Sequence, residues 1–178
     1  MSFTPRTTAP DVLTNAYYRH TGYNNGLNEC LLIDNITGAV MPNCVGYTWG
    51  RFYEVTGRRP SLSKADADQW YGHTQDGYER SRKRVAVGSV VCFSGGPHNS
   101  GHVCNVEEIN YDANGKKILT CSNSAYEGSF FYITHLYESN NYLPSSAYQF
   151  QGFIINPDYP PPRPAKRKFK FMYYKRPL

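Results

Sequence analysis

The stretch Asn43-Cys44-Val45-Gly46-Tyr47-Thr48-Trp49-Gly50-Arg51 is the segment around which this chain is organised. Apolar side chains recur with helical period from Cys44 to Thr56, and Gly57 is the expected stop, so we predict a helix over 44–56. Cys44 then lies in the first turn, where unpaired backbone N–H groups and the helix dipole favour its thiolate. A cysteine nucleophile needs a histidine that takes its proton and a third group that holds the histidine. The stretch therefore predicts a nucleophile whose partners lie elsewhere in the chain.

The composition indicates one loop-rich domain. The chain has 178 residues, which suffices for one core. It contains 15 Gly, 12 Pro and 16 Tyr, and only 19% of its residues are charged. A surface rich in tyrosine and poor in charge suits the binding of neutral, polar polymers such as sugars or peptides.

The sequence contains no run of about 18 apolar residues, so we expect no membrane span. Residues 1–10 hold one arginine and no apolar core of a secretory signal. We therefore expect synthesis in a host cytoplasm without a signal peptide, with delivery to any outside site by another route.

The cysteine count argues against a disulfide framework, because it is odd and no secretory signal accompanies it. No Cys-x-x-Cys pair is present, so the spacing of a zinc knuckle is absent. Most of these residues are expected to be small buried side chains. The five cysteines are Cys30, Cys44, Cys92, Cys104 and Cys121.

The net charge of +5 belongs to the C-terminal tail. Of the 19 basic residues seven follow Pro162, which leaves 12 against 14 acidic residues, a net charge of −2 for the remainder. We divide the chain into an extended arm (1–10), a catalytic domain (11–156), a proline-rich spacer (157–164) and a basic, aromatic tail (165–178). The seven basic residues after Pro162 are Arg163 at the end of the spacer and, in the tail, Lys166, Arg167, Lys168, Lys170, Lys175 and Arg176.

The expected architecture is α+β, with N-terminal helices packed on a central antiparallel sheet of about five strands. Ser63 is a candidate N-cap of a second helix that reaches Tyr71. From Val85 the apolar period changes to two, which predicts strands. The five predicted strands are Ala86–Phe93, His102–Ile109, Lys117–Asn123, Phe130–Thr134 and Tyr148–Ile155, preceded by a short one at Cys30–Ile33.

A hairpin is predicted to join two of these strands through Asn114-Gly115. Alternation puts His102 and Cys104 on one face of the first strand, and Cys121 and Asn123 on one face of the second. His102 and Asn123 should then lie at the same open end of the hairpin. If the helix packs on that face, Cys44 joins them in a Cys–His–Asn arrangement.

Several ordered motifs carry a resemblance to a known family. They are Asn43–Arg51, Trp70-Tyr71-Gly72, Asp76-Gly77-Tyr78, Gly88-Ser89-Val90-Val91-Cys92-Phe93, Gly101-His102-Val103-Cys104-Asn105-Val106-Glu107-Glu108, Ser122-Asn123-Ser124-Ala125-Tyr126 and Phe150-Gln151-Gly152-Phe153-Ile154. Together they resemble the CHAP family, the cysteine, histidine-dependent amidohydrolases/peptidases, in a form similar to that of phage endolysins. The resemblance covers roughly residues 10–156 and leaves out the arm and the tail.

This resemblance implies a papain-like, NlpC/P60-type fold and hydrolysis of peptidoglycan amide bonds. It implies Cys44 as nucleophile, His102 as base and Asn123 as the residue that orients the imidazole, by accepting from its Nδ1–H. Many members carry Glu in place of Asn123, and a neutral amide stabilises the imidazolium less. Some members bind calcium through acidic residues before the cysteine. With only Asp34 there, we expect no metal and no cofactor.

Other assignments stay open. Trp49, Tyr71 and Tyr126 are candidates for a substrate groove, although each can equally be a packing residue. An alternative hypothesis is that His102, Cys104 and Cys121 bind a metal ion, in place of a catalytic role for His102.

The function also has alternatives to a free phage lysin. They are a virion-associated protein, a non-catalytic wall-binding module, and binding of nucleic acid or a partner through the tail. For residues 163–178 we favour an anionic wall polymer or a partner protein, and expect no obligate nucleic acid. Amidase and endopeptidase activities both fit the site.

Overall fold

The computed structural model describes residues 3–11, 15, 17, 31–33, 40–63, 65–125 and 131–159. One α-helix and eight strands lie in these residues. In chain order they are β1 (Leu31–Ile33), β2 (Val40–Pro42), α1 (Cys44–Thr56), β3 (Arg80–Ser81), β4 (Val90–Gly95), β5 (His102–Tyr111), β6 (Lys117–Asn123), β7 (Tyr132–Tyr137) and β8 (Tyr148–Ile154).

A six-stranded sheet forms the body of the molecule, in the order β3-β8-β4-β5-β6-β7, with antiparallel neighbours throughout. About five strands were expected. The additional strand, β3, has only two residues, too few for alternation to indicate it. β1 and β2 form a separate antiparallel ribbon.

Helix α1 confirms the prediction for residues 44–56. Asn43 caps its start, because the Asn43 side-chain oxygen accepts the backbone N–H of Gly46 at 3.1 Å. Gly57 ends it in a left-handed conformation (φ 63°) and donates its N–H to the Tyr53 carbonyl. The side chains from Val45 to Phe52 are all buried, so α1 is a central helix rather than a surface one.

The second predicted helix, Ser63 to Tyr71, is wrong. A single 3-10 turn at Ala67–Gln69 takes its place. The Ser63 hydroxyl accepts the N–H of Ala65, and the Trp70 indole N–H donates to the Ala65 carbonyl. The segment thus folds back on itself, and the expectation of several helices reduces to one α-helix with short 3-10 turns.

The core has two layers, one on each face of the sheet. Alternation along β4 divides them, because Val90 and Cys92 face the layer beneath α1 whereas Val91 and Phe93 face the opposite layer. The predicted start of this strand at Ala86 is wrong, since Gly88 takes a left-handed turn (φ 73°) before β4 begins.

The ends of the chain are described in part. Residues 3–10 contain no helix or strand, and the Arg6 side chain contacts Glu54 of α1. The spacer is described only as far as Tyr159, and the 165–178 tail lies outside the described residues. No helix in the described part of the chain is long and apolar enough to cross a membrane.

Candidate active site

The β5–β6 hairpin brings His102 and Asn123 together. The strands pair in antiparallel register, with Val106 opposite Cys121 and Asn105 opposite Ser122. At the open end, His102 Nε2 and Asn123 Oδ1 are 3.0 Å apart. Both side chains are buried, which excludes water from this hydrogen bond.

The Asn123 amide is oriented by its surroundings. Its Nδ2 donates to the Cys121 carbonyl at 2.9 Å and to the Thr134 hydroxyl at 3.0 Å. Its Oδ1 is therefore the atom that faces the imidazole, and it accepts from Nε2–H. The expectation that the Nδ1–H of His102 makes this bond is wrong, because Nε2 faces Asn123. Nδ1 is therefore the nitrogen that remains available to accept a proton.

Cys44 opens α1 at the edge of a cleft of about 450 Å³ that His102 also lines. Contacts between α1 and β5 fix its position. The Thr48 hydroxyl, one turn along, donates to the Val103 carbonyl at 3.3 Å, and Val103 follows His102 directly. The cleft is lined by Asn43, Cys44, Val45, Asp66, Ala67, Pro97, His98, Ser100, Gly101, His102, Ala125 and Tyr148.

A charged pair further along α1 holds the helix against the hairpin. Arg51 donates through Nε and a terminal nitrogen to both carboxylate oxygens of Glu107, at 2.9 and 2.8 Å. The Ser122 hydroxyl also donates to Glu107, at 2.6 Å. Glu107 is fully buried, so this pair joins α1, β5 and β6 at a point where neither charge is left without a partner.

The loop between β4 and β5 is shaped by Gly101. Its φ is 75°, and a Cβ atom would collide with the Phe93 carbonyl and with the backbone nitrogen of Asp68. Asp68 N–H donates to the Ser100 carbonyl at 2.9 Å. This close approach turns the chain so that His102 begins β5 inside the cleft. His98, in the same loop, is exposed and lines the cleft.

The pKa shifts of Cys44 and His102 favour the neutral form of both side chains. Burial raises the pKa of the half-buried Cys44 thiol to about 11, although the backbone amides of Val103 and Val45 act in the opposite direction. Burial lowers the pKa of His102, and its hydrogen bond with Asn123 offsets this only in part. The backbone at the helix start does favour the thiolate, as expected, but the desolvation of the thiol outweighs this effect.

Of the three groove candidates, Trp49 and Tyr71 do not line this cleft. Trp49 is 2% exposed and belongs to the core beneath α1. Tyr71 packs over Gly152 and lines a second cavity. Tyr126 lies outside the described residues. Sequence reasoning missed Tyr148, whose ring centroid is 6.1 Å from that of His102, because only the strand order shows that β8 reaches the site.

The alternative hypothesis was a metal site formed by His102, Cys104 and Cys121. Cys104 and Cys121 are buried and pack in the core layer opposite α1. Within the described ranges no group of three His, Cys, Asp or Glu side chains is arranged to hold a metal ion.

Comparison with known proteins identifies the family of this chain. A crystal structure of N-acetylmuramoyl-L-alanine amidase from Staphylococcus aureus is similar, with 25% identity and a TM-score of 0.40. The match covers 62% of this chain, and the chain spans 30% of that structure's length. No curated protein matches the chain. The family model described as the CHAP domain matches residues 34–123, half of the chain and including Cys44, His102 and Asn123. The chain therefore belongs to the CHAP domain family.

Proposed function

We propose that this protein is a peptidoglycan hydrolase that cleaves an amide bond of the bacterial cell wall through Cys44, His102 and Asn123. The observation that carries the proposal is the buried His102–Asn123 hydrogen bond at a cleft that Cys44 lines. A thiol, an imidazole with a free acceptor nitrogen and an amide that fixes the ring are the parts that nucleophilic amide hydrolysis requires.

The reaction begins with general-base catalysis, because burial raises the pKa of Cys44 and lowers the pKa of His102, which favours the neutral form of both side chains. Nδ1 of His102 takes the Sγ proton as the sulfur of Cys44 attacks the carbonyl carbon of the wall amide. The backbone N–H of Cys44 at the start of α1 donates to the oxyanion. Asn123 accepts from Nε2–H throughout and stabilises the imidazolium.

The second half of the reaction returns the proton. Imidazolium Nδ1–H protonates the leaving amine as the C–N bond breaks, which leaves a thioester on Cys44. Water, deprotonated by the same nitrogen, then attacks the thioester carbonyl. The products are a carboxylic acid and the free thiol, and no external oxidant or metal enters the balance.

The biological setting is part of the same proposal. A phage lysin, made in the host cytoplasm and acting on the wall after release, fits the endolysin-like motifs quoted above. Incorporation into a virion is the alternative setting. In either, the basic tail at 163–178 would add affinity for an anionic wall polymer or a partner protein. Deleting the tail and measuring wall pull-down at two salt concentrations tests that contribution.

Hydrolysis of purified peptidoglycan by matched cysteine variants tests the activity. Release of new amino groups should fall about a thousandfold or more in Cys44→Ala. Cys92→Ala is the control, since it removes a thiol from the core beneath α1. Thermal melts identify variants that fail to fold. Undiminished hydrolysis by Cys44→Ala would overturn the proposed mechanism, and wall binding without release of amines would favour a non-catalytic module.

A further inference from the structure

A second cavity of about 1050 Å³ adjoins the candidate active site. Tyr148 lines both this cavity and the cleft that holds Cys44 and His102. Apart from Tyr148, the lining residues of the two cavities differ. An extended ligand bound at Cys44 can therefore reach the second cavity by passing Tyr148.

The walls of the second cavity carry an excess of positive charge. Three basic side chains line it, Arg82, Lys83 and Lys117, against one acidic side chain, Glu138. Lys117 and Glu138 neutralise each other, with Nζ and Oε1 3.1 Å apart. Arg82 and Lys83 are exposed, and neither forms an ion pair within the described residues. Among the described residues, the cavity thus offers two cations that form no ion pair.

Two contacts with Phe150 fix the orientation of the Arg82 guanidinium. One terminal nitrogen donates to the Phe150 carbonyl at 3.0 Å, and the guanidinium carbon lies 6.0 Å from the centre of the Phe150 ring. A guanidinium fixed by a carbonyl and an aromatic face loses little side-chain entropy when it binds an anion. Its remaining N–H donors match the paired oxygens of a carboxylate.

The lining of this cavity also contains two consecutive residues in the left-handed conformation. Asn141 has φ 57° and Tyr142 has φ 60°. For a bulky residue such as Tyr142 this conformation is costly, and such backbone strain concentrates at ligand sites. Tyr142 is held by Phe150 and Phe153, each with its ring centroid 5.3 Å from that of Tyr142. The cavity wall is thus fixed in a conformation that the chain would not otherwise favour.

We propose that this cavity, defined by Arg82, Lys83, Tyr142 and Tyr148, binds a carboxylate-bearing segment of the same wall strand whose amide lies at Cys44. The proposal rests on the proposed function and extends it to the substrate. Continuity across Tyr148 favours a part of the substrate over an independent ligand. Aromatic and amide side chains in the same walls suit the peptide or sugar groups on either side of that carboxylate.

Three preparations of peptidoglycan test the occupant. The first has been freed of phosphate polymers and keeps its carboxylates, the second has had those carboxylates coupled to a neutral amine, and the third retains its phosphate polymers. Initial rates are measured against wall concentration for the wild type, Lys83→Gln, Arg82→Lys and the double variant Arg82→Gln/Lys83→Gln. Arg58→Gln is the matched control, because Arg58 follows the far end of α1, about 20 Å of helix from Cys44.

On the carboxylate wall the double variant should need about tenfold more substrate for half-maximal rate, with a maximal rate within about twofold of wild type. Lys83→Gln and Arg82→Lys should each show part of this effect, because lysine at position 82 keeps the charge but lacks the paired donors, whereas Arg58→Gln should show little. On the neutralised wall the wild type and the double variant should behave alike.

Equal half-saturation of wild type and double variant on the carboxylate wall would overturn the inference while the proposed function stands. A difference confined to the wall with phosphate polymers would also overturn it, because the anion would then be a phosphate. Failure of the wild type on every preparation would instead contradict the proposed function. The Lys83 side chain forms no hydrogen bond or ion pair among the described residues, so Lys83→Gln keeps the test intact if the double variant misfolds.

Discussion

Nε2 of His102 lies 3.0 Å from Oδ1 of Asn123, and the amide nitrogen of the same Asn123 is committed to the Cys121 carbonyl and the Thr134 hydroxyl. Only one arrangement satisfies all of these groups, with the proton on Nε2 and a lone pair on Nδ1. The hairpin thus sets both the position and the tautomer of the candidate base.

The first prediction concerns the pH dependence of kcat/KM. The active form of His102 is neutral, so activity is present above its pKa and is lost as pH falls through it. Burial lowers that pKa, so the acid limb of the wild type should lie below pH 6.5, the ordinary value. Asn123→Asp places a carboxylate on Nε2–H, stabilises the imidazolium and should move the limb to higher pH.

The companion variant, Asn123→Ala, removes the acceptor and should lower kcat by about 10- to 100-fold with little change in KM. An acid limb that stays in the same place in Asn123→Asp would contradict the assigned contact.

The second prediction concerns the resting state of Cys44. With its pKa raised to about 11, about one thiol in ten thousand is ionised at pH 7. The rate of alkylation of Cys44 by iodoacetamide, followed by peptide mass mapping, should therefore rise about tenfold per pH unit from pH 6 to 9. A rate that is already constant over this range would show a resting thiolate–imidazolium pair instead.

The third prediction concerns the charged pair that holds α1. Glu107→Gln removes the buried carboxylate and leaves Arg51 paired with Glu54 at the less buried end of the cluster, which should lower the free energy of unfolding by about 1–3 kcal/mol. Glu108→Gln is the matched control, since its neighbouring carboxylate is exposed and should cost about 0.5 kcal/mol or less. Urea denaturation measures both. Similar losses in the two variants would show that the buried pair is unimportant for stability.

The fourth prediction concerns Tyr148. Gly96 has φ 84°, and a methyl group there would overlap the Tyr148 ring. Gly115 has φ 72° with open space around it. Both Gly→Ala variants should lose about 1–2 kcal/mol of stability from the left-handed conformation. Only Gly96→Ala should also lower kcat/KM on peptidoglycan, by about tenfold, because it displaces the ring beside His102. Equal activities would show that Tyr148 has no part in the reaction.

The sequence predicted the local parts of this structure better than the distant ones. Helix α1 and strand β6 matched their predicted bounds, because Asn43 and Gly57 cap the helix and alternation defines the strand. The place of Tyr148 was not predictable, since β8 pairs with β4 across more than fifty residues of chain.

The protonation states of Cys44 and His102 could not be predicted from the sequence either. The helix start at Cys44 indicates a stabilised thiolate, whereas the burial that outweighs it arises only from tertiary packing. The choice between Nδ1 and Nε2 of His102 likewise depends on how the folded structure orients the imidazole ring and the Asn123 amide. Trp49 followed helical period in the sequence, but only packing against the sheet showed that it faces the core rather than a groove.

The most direct test is the mass of the intermediate on Cys44. Peptidoglycan fragments are mixed with the protein, the reaction is quenched with acid within its first turnover, and cysteine-containing peptides are analysed by mass spectrometry. We predict an adduct on the Cys44 peptide equal to the acyl side of the cleaved amide, a mass that also distinguishes an amidase from an endopeptidase. Turnover of the wall without any adduct on Cys44, together with full activity of Cys44→Ala, would contradict the account.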